Sequence, residues 1–344
     1  NLRFNTFDLS IAPDADNRAE GGGFIQDEIF LSNNFRLVAG GRVDRFDYLD
    51  DFVFSPRVTF LAKPQENHTV RVSYNRAYRS PSVINNFLDI QIAEPLNLGL
   101  FSPLLAGRVY LIPIRATGNT DLTETSVDAY ELGYSGVVAN GRAILSAAFY
   151  VNKAKDDIFF TEQAALRWTA TNPPPNFAFG LLPPAVIALT PARSFPAAFT
   201  YQNFGKTTQK GIELGVNATL NRHVGTFVNY SYQAKPTANF ALTELNLPAK
   251  NKFNVGLNFN RDRFLGDVNI TYSDSALWQD VLDDRYHGTT ESYTLVNGGF
   301  GVRWLNNRLT TSVKGTNLAN QTIQQHVFGD IIKRSVVGEL RVNF

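Results

Sequence analysis

At 344 residues, 44% hydrophobic and 18% charged, the chain is too apolar for disorder and could hold one large or two ordinary domains. A net charge of +1 gives no basic excess for nucleic acid, and the absence of cysteine removes disulfides, thiol catalysis and Cys-ligated metals. No apolar run reaches the length of a membrane helix, and the longest uncharged stretch, 168–192, is interrupted by six prolines.

The chain opens with NLRFNTFDLS, already strand-like, with no initiator Met and no signal-like segment. An exported protein that starts in mid-pattern is expected to have been processed or truncated. Period-two alternation predicts fourteen strands, over 1–9, 20–31, 34–46, 51–62, 67–79, 125–137, 141–157, 201–220, 223–235, 248–260, 263–274, 290–304, 307–318 and 333–344. Most are close to the length that a tilted membrane strand needs. In 248–260, Phe253, Val255, Leu257 and Phe259 alternate with Lys252, Asn254, Gly256 and Asn258. In 201–220, Ile212, Leu214, Val216 and Ala218 alternate with Gly211, Glu213, Gly215 and Asn217.

The connections alternate as well. Every second one is a tight turn: Ser32-Asn33-Asn34, Pro64 to Asn67, Ala139-Asn140-Gly141, Asn221-Arg222-His223, Arg261-Asp262-Arg263 and Asn306-Asn307. The others are longer, and two, about 80–124 and 158–200, are very long. The last strand, KRSVVGELRVNF, sets Val336, Gly338, Leu340, Val342 and the terminal Phe344 on one face, with Ser335, Glu339, Arg341 and Asn343 on the other. A terminal aromatic on an amphipathic strand, with short turns on one side and long loops on the other, is the pattern of a transmembrane antiparallel β-barrel. A soluble sandwich or propeller would explain the alternation but not the asymmetry of the connections.

Six stretches then carry a resemblance. GGRVDRFDYLDDFVFSPRVTFLAKP (40–64), NHTVRVSYNRAYRSPS (67–82), GNTDLTETSVDAYELGYSG (118–136), QNFGKTTQKGIELGVN (202–217), KGTNLANQ (314–321) and RSVVGELRVNF (334–344) together resemble the C-terminal barrel of TonB-dependent receptors, in that family's order. Thr120 stands where the family usually has Pro. The resemblance implies an all-β chain, 1–344, holding the last fourteen strands of a 22-stranded barrel in the outer membrane of a Gram-negative cell. It also implies TonB-energised uptake of a scarce bulky solute (a metal chelate, cofactor or glycan), without chemistry on that solute and without a cofactor. The expected partners are outer-membrane lipid, the TonB complex acting through a plug that this chain does not contain, the barrel-assembly machinery and an extracellular lipoprotein. Nucleic acid is not among them. The rival readings are a self-contained 14-stranded diffusion channel and, from another class, a barrel enzyme, for which no G-x-S-x-G motif is present.

Arg57, Arg71, Glu131, Glu213, Lys252, Arg303 and Lys314 are expected to face the lumen or a plug, although any wide barrel interior must be polar. Tyr78, Arg79, Trp278, His287 and His326 are candidates for ligand contact at the outer mouth. His287 and His326, with Asp283, Asp284 and Asp330, offer donors for a metal or metal chelate if they converge, but loop solvation explains them equally. No protein metal site is assigned. His68 and His223, beside tight turns, are expected to be solvated. Phe344, Val342 and Leu340 are the expected barrel-assembly signal. The apolar stretches 94–114 and 172–199 are expected to be vestibule walls, a docking surface, or loops that fold over one another.

Overall fold

A computed structural model describes residues 2–6, 17–47, 49, 51–97, 99, 103, 106–173, 187–188, 193–240, 245–278 and 288–343. Fourteen strands form one antiparallel meander, each pairing with the next in sequence. They are β1 (Leu2–Thr6), β2 (Asn17–Phe30), β3 (Phe35–Phe46), β4 (Val53–Gln65), β5 (His68–Arg79), β6 (Thr125–Val138) and β7 (Ala143–Lys155), followed by β8 (Lys206–Asn221), β9 (Val224–Gln233), β10 (Asn251–Arg261), β11 (Phe264–Ser273), β12 (Tyr293–Trp304), β13 (Leu309–Thr316) and β14 (Ser335–Val342). Each corresponds to one of the strands expected from alternation. The sheet is open, with β1 and β14 as its edges.

The pairing register turns the alternation into two faces. Residues directly opposite share a face, so Phe253, Val255 and Leu257 on β10 meet Tyr272, Ile270 and Val268 on β11. On the other face Lys252, Asn254 and Asn258 meet Ser273, Thr271 and Asp267. Leu257 is 46% exposed and Val268 40%, because no second layer of described residues covers the apolar face. Contiguous exposure on that scale requires an apolar solvent or a partner.

Aromatic residues edge this face at both ends. Near the tight turns Phe264 stacks on Phe300 at 6.1 Å, and Arg263 lies over both Phe264 and Trp304. Near the long loops Tyr74 contacts Tyr130 at 5.1 Å, and Phe253 stacks on Tyr272 at 5.4 Å. From Phe264 to Tyr272 is about 26 Å of strand, which at a barrel tilt of about 40° rises about 20 Å, enough to span most of a membrane barrel's apolar band of about 25 Å. Among the described residues no helix is long and apolar enough to cross a membrane, which says nothing against a barrel.

Every tight turn falls where expected. Ala139, Asn140, Asp262, Leu305, Asn306 and Asn307 adopt positive φ there, a conformation that Asn and Asp tolerate best. The expected strand 201–220 divides in two at Gly205, whose φ of +76° breaks the ladder. Residues before the break leave the wall and join a second sheet.

That second sheet is built from the two long connections. Its order is Ile158–Glu162, Ala198–Asn203, Val109–Thr117, Asp89–Asn97, with Ala198–Thr200 pairing in parallel to Arg115–Thr117. The loops therefore fold over one another. Ile112, Ile114, Ala116, Leu88 and Ala198 are all buried, so much of the packed core lies in this loop layer and not in the wall.

Candidate functional site: a polar wall and its loop layer

All seven expected lumen residues share one face. Ser73 pairs with Glu131, Glu131 with Tyr150, Ala148 with Glu213, Glu213 with Ser231, and Ser231 with Lys252. Arg57 and Arg71 alternate with Ser73 onto this side through β4 and β5, and Lys314 and Arg303 occupy it at the far end through Gly299 and Thr310. Arg71 donates from Nε to Glu131 at 2.9 Å, and Lys314 pairs with Glu339. Arg303 donates to the Asn260 side chain and to the Asp262 carbonyl at 3.3 Å. Arg57, Glu213 and Lys252 form no salt bridge among the described residues. A groove of about 500 Å³ runs along this face, lined by Arg71, Ser135, Glu213, Asn229, Lys252 and Asn254. The buried Oδ1 of Asn254 has no hydrogen-bond partner among the described residues.

The mouth candidates do not form one cluster. Trp278 and His326 come together with ring centroids 4.3 Å apart, and Phe328 lies 5.6 Å beyond His326. Trp278 ends the short strand Ala276–Trp278, which pairs with Gly288–Thr290, and its indole donates to Thr290 Oγ1 at 3.2 Å. Tyr78 lines a separate groove of about 330 Å³ beside Gly21, Arg42 and Asp44. It sits at the end of β5, six strand positions from β11 along the sheet. Arg79, next to it, is exposed and interacts with Asp157 across the β7–β8 connection. Burial pushes the Asp157 carboxyl above the usual carboxylate range, and Arg79 opposes part of that rise.

His287, Asp283, Asp284 and Phe344 lie outside the described residues. Among those described, no three His, Cys, Asp or Glu side chains gather as a metal site. Val342 and Leu340 are exposed on the apolar face of β14, 50% and 68% respectively. The two turn histidines are partly exposed and also hydrogen-bonded, a detail that the expectation of solvation did not include. His68 Nδ1 lies 2.8 Å from the Tyr134 hydroxyl, and His223 Nδ1 lies 3.1 Å from the Asn260 carbonyl oxygen. Cross-strand partners, which alternation alone does not name, make the difference.

Several positioning residues were not singled out from sequence. Asn119 donates to the Tyr201 carbonyl at 3.0 Å, and Thr200 donates to the Gly118 carbonyl at 3.2 Å. Asn203 receives the Thr123 N–H at 2.7 Å and donates to the Thr123 and Asp156 carbonyls. These bonds join GNTDLTET to the segment around QNFGK and so fix the loop layer to the wall. Asn317, fully buried, takes the Gln321 N–H on its carbonyl oxygen and donates to the Gln321 and Ile332 carbonyls. The polar residues of both motifs were visible in sequence, but their partners were not.

The profile of the family described as "TonB dependent receptor-like, beta-barrel" matches residues 2–318. An iron-regulated outer membrane virulence protein of Vibrio cholerae is 26% identical over 312 residues, covering 89% of this chain and 42% of that protein. The siderophore receptor PirA of Acinetobacter baumannii superimposes with a TM-score of 0.70 at 15% identity, covering 97% of this chain and 47% of its own. The ferric enterobactin receptor of Pseudomonas aeruginosa gives a TM-score of 0.68 at 13% identity, covering 99% of this chain and 48% of its own. At those identities the two structures establish the fold alone. The chain spans less than half the length of these relatives.

Proposed function

The chain belongs to the TonB-dependent receptor β-barrel family of outer-membrane proteins, and from that premise we propose that it forms the C-terminal wall of a receptor importing a scarce metal chelate. The solute class rests on the names of the similar proteins, an iron-regulated outer membrane protein and two siderophore receptors. The observation that carries the transport reading is the two-faced meander: an apolar face edged by aromatics, and a polar face bearing seven charged side chains in one register. The polar face of the wall meets a plug, through which TonB acts. Arg57, Glu213 and Lys252 are the charges free to pair with it.

The family consists of receptors and transporters, so the chain binds and passes a solute and performs no chemistry on it. The loop layer and the Trp278–His326 pair form the solute's entrance. The exposed apolar face of β14, with Phe344, is what the barrel-assembly machinery recognises.

The test is uptake of a radiolabelled ferric siderophore by cells expressing the full-length receptor, with and without TonB. Uptake that requires TonB and falls in a Glu213→Lys variant supports the reading. TonB-independent uptake, with steady conductance in a planar bilayer, would establish the diffusion-channel alternative instead.

A further inference from the structure

The polar face accounts for the charges expected in the interior, but a second set of charges lies on the opposite, apolar face. β7 and β8 pair so that Val151 meets Lys210, Lys153 meets Thr208, and Lys155 meets Lys206. Across β6, Val151 faces Tyr130, Lys153 faces Asp128, and Asp128 in turn faces Arg76 of β5. Arg76, Lys153, Lys155, Lys206 and Lys210 therefore stand together. They lie on the same face as Phe149, Leu132 and Val72, directly beyond those residues toward the long loops.

The set contains one acid, Asp128, which is already occupied. It receives Arg76 at 2.8 and 3.0 Å and the Tyr74 hydroxyl at 2.7 Å, with the Lys155 ammonium 3.8 Å away. Lys153, Lys206 and Lys210 are exposed and form no salt bridge among the described residues; Lys153 instead lies over the Tyr130 ring at 5.6 Å. Lys155 directly opposite Lys206 is a like-charge cross-strand pair, which is destabilising, and Asp128 offsets the charge of Lys155 but not that of Lys206.

The height of the set selects the anion. Tyr74 and Tyr130 mark where the apolar band ends on these strands, so the ammonium groups sit at headgroup level. The row is concentrated here: on β9 to β12 the outermost positions of the same face are Tyr232, Asn251, Tyr272 and Thr294, and the cation near them, Lys250 over Tyr232, is balanced by Asp274. We propose that Arg76, Lys153, Lys155, Lys206 and Lys210 form a binding site for the phosphate groups of a phosphorylated glycolipid in the outer leaflet. Its acyl chains lie along Phe149, Leu132 and Val72, where an apolar groove of about 520 Å³ is present. The proposal rests on the reading of the sheet as a membrane wall.

The experiment titrates the full-length receptor in detergent with lipid A, with the same lipid after phosphatase treatment, and with inorganic phosphate. Native mass spectrometry counts the bound lipid. The expected result is saturable binding of lipid A, weakened about 100-fold in Lys153→Gln/Lys206→Gln/Lys210→Gln, roughly fivefold for each lysine. A control triple at the turn end, Arg222→Gln/Arg261→Gln/Arg308→Gln, retains full affinity. Equal binding of the dephosphorylated lipid, or unchanged affinity in the lysine triple, overturns the site. Inorganic phosphate displacing the lipid at equal concentration overturns the lipid assignment. A heat-modifiable barrel that binds no lipid A sinks this proposal alone, whereas failure to form a barrel in vesicles removes the membrane reading with it.

Discussion

Asn317 shows how one side chain can hold a connection that has little core of its own. It is completely buried, its φ is +52°, and its amide bonds to both ends of the loop between β13 and β14. Alanine there would leave one N–H and two carbonyls unpaired and keep the unfavourable backbone, a loss of about 3 kcal/mol. Asn317→Asp retains the acceptor but sets a buried carboxylate against the Gln321 and Ile332 carbonyls, so at neutral pH it should be at least as harmful as alanine in urea unfolding; a variant milder than alanine would contradict this account. Asp157 makes a different prediction. Its carboxyl is raised by burial, so the stability of keeping it neutral is complete below the unfolded value near pH 4 and is lost as pH rises through the folded value. Asp157→Asn should therefore protect Ile158–Glu162 from hydrogen exchange more than wild type at pH 7, and no more than wild type at pH 3. Protection that did not change with pH would show that the carboxyl is not strained by its surroundings.

At the scale of elements, the helix Val83–Phe87 docks against Gly118 with no room to spare. A Cβ at Gly118 would lie 2.3 Å from the Asn86 carbonyl carbon and 2.4 Å from the Phe87 nitrogen, both rigid backbone. Gly118→Ala should cost about 1–3 kcal/mol and open residues 80–124 to limited proteolysis, while the wall strands remain folded. The contrast between wall and loop layer also explains what the sequence revealed. The fourteen strands were readable because two solvents act on alternate side chains, so every residue reports its face. The turns were readable because Asn, Asp and Gly favour tight turns, and in three of the six, at Asn140-Gly141, Asp262 and Asn306-Asn307, they adopt the positive φ. The loop layer was not, because Arg115–Thr117 pairs with Ala198–Thr200 across more than 80 residues, and no local period encodes that. For the same reason it is the register, and no local period, that sets Lys206 and Lys210 beside Lys153 and Lys155. The polar-face candidates came from alternation and fall on one face, whereas the mouth candidates came from loop position and divide into separate places.

For the molecule as a whole, the controlling fact is that its two faces meet different media. Adjacent residues on one strand should then respond oppositely to the same change. Leu257, opposite Thr226 and Val268, lies in the middle of the apolar band, while Asn258, opposite Gly225 and Asp267, lies on the polar face. An arginine at Leu257 must enter hydrocarbon and should cost about 2–4 kcal/mol, whereas one at Asn258 enters water and should cost about 1 kcal/mol or less. Urea titration of each variant of the full receptor in lipid vesicles measures both numbers. In detergent the gap should narrow, because a micelle deforms around the charge more readily than a bilayer. Equal costs at the two positions in vesicles would mean that the apolar face is covered by protein, and the chain would then be one layer of a sandwich and not a membrane wall. A gap of the expected sign would place lipid on one side and a water-filled or plugged interior on the other, which is the arrangement that lets the seven charges in register serve transport.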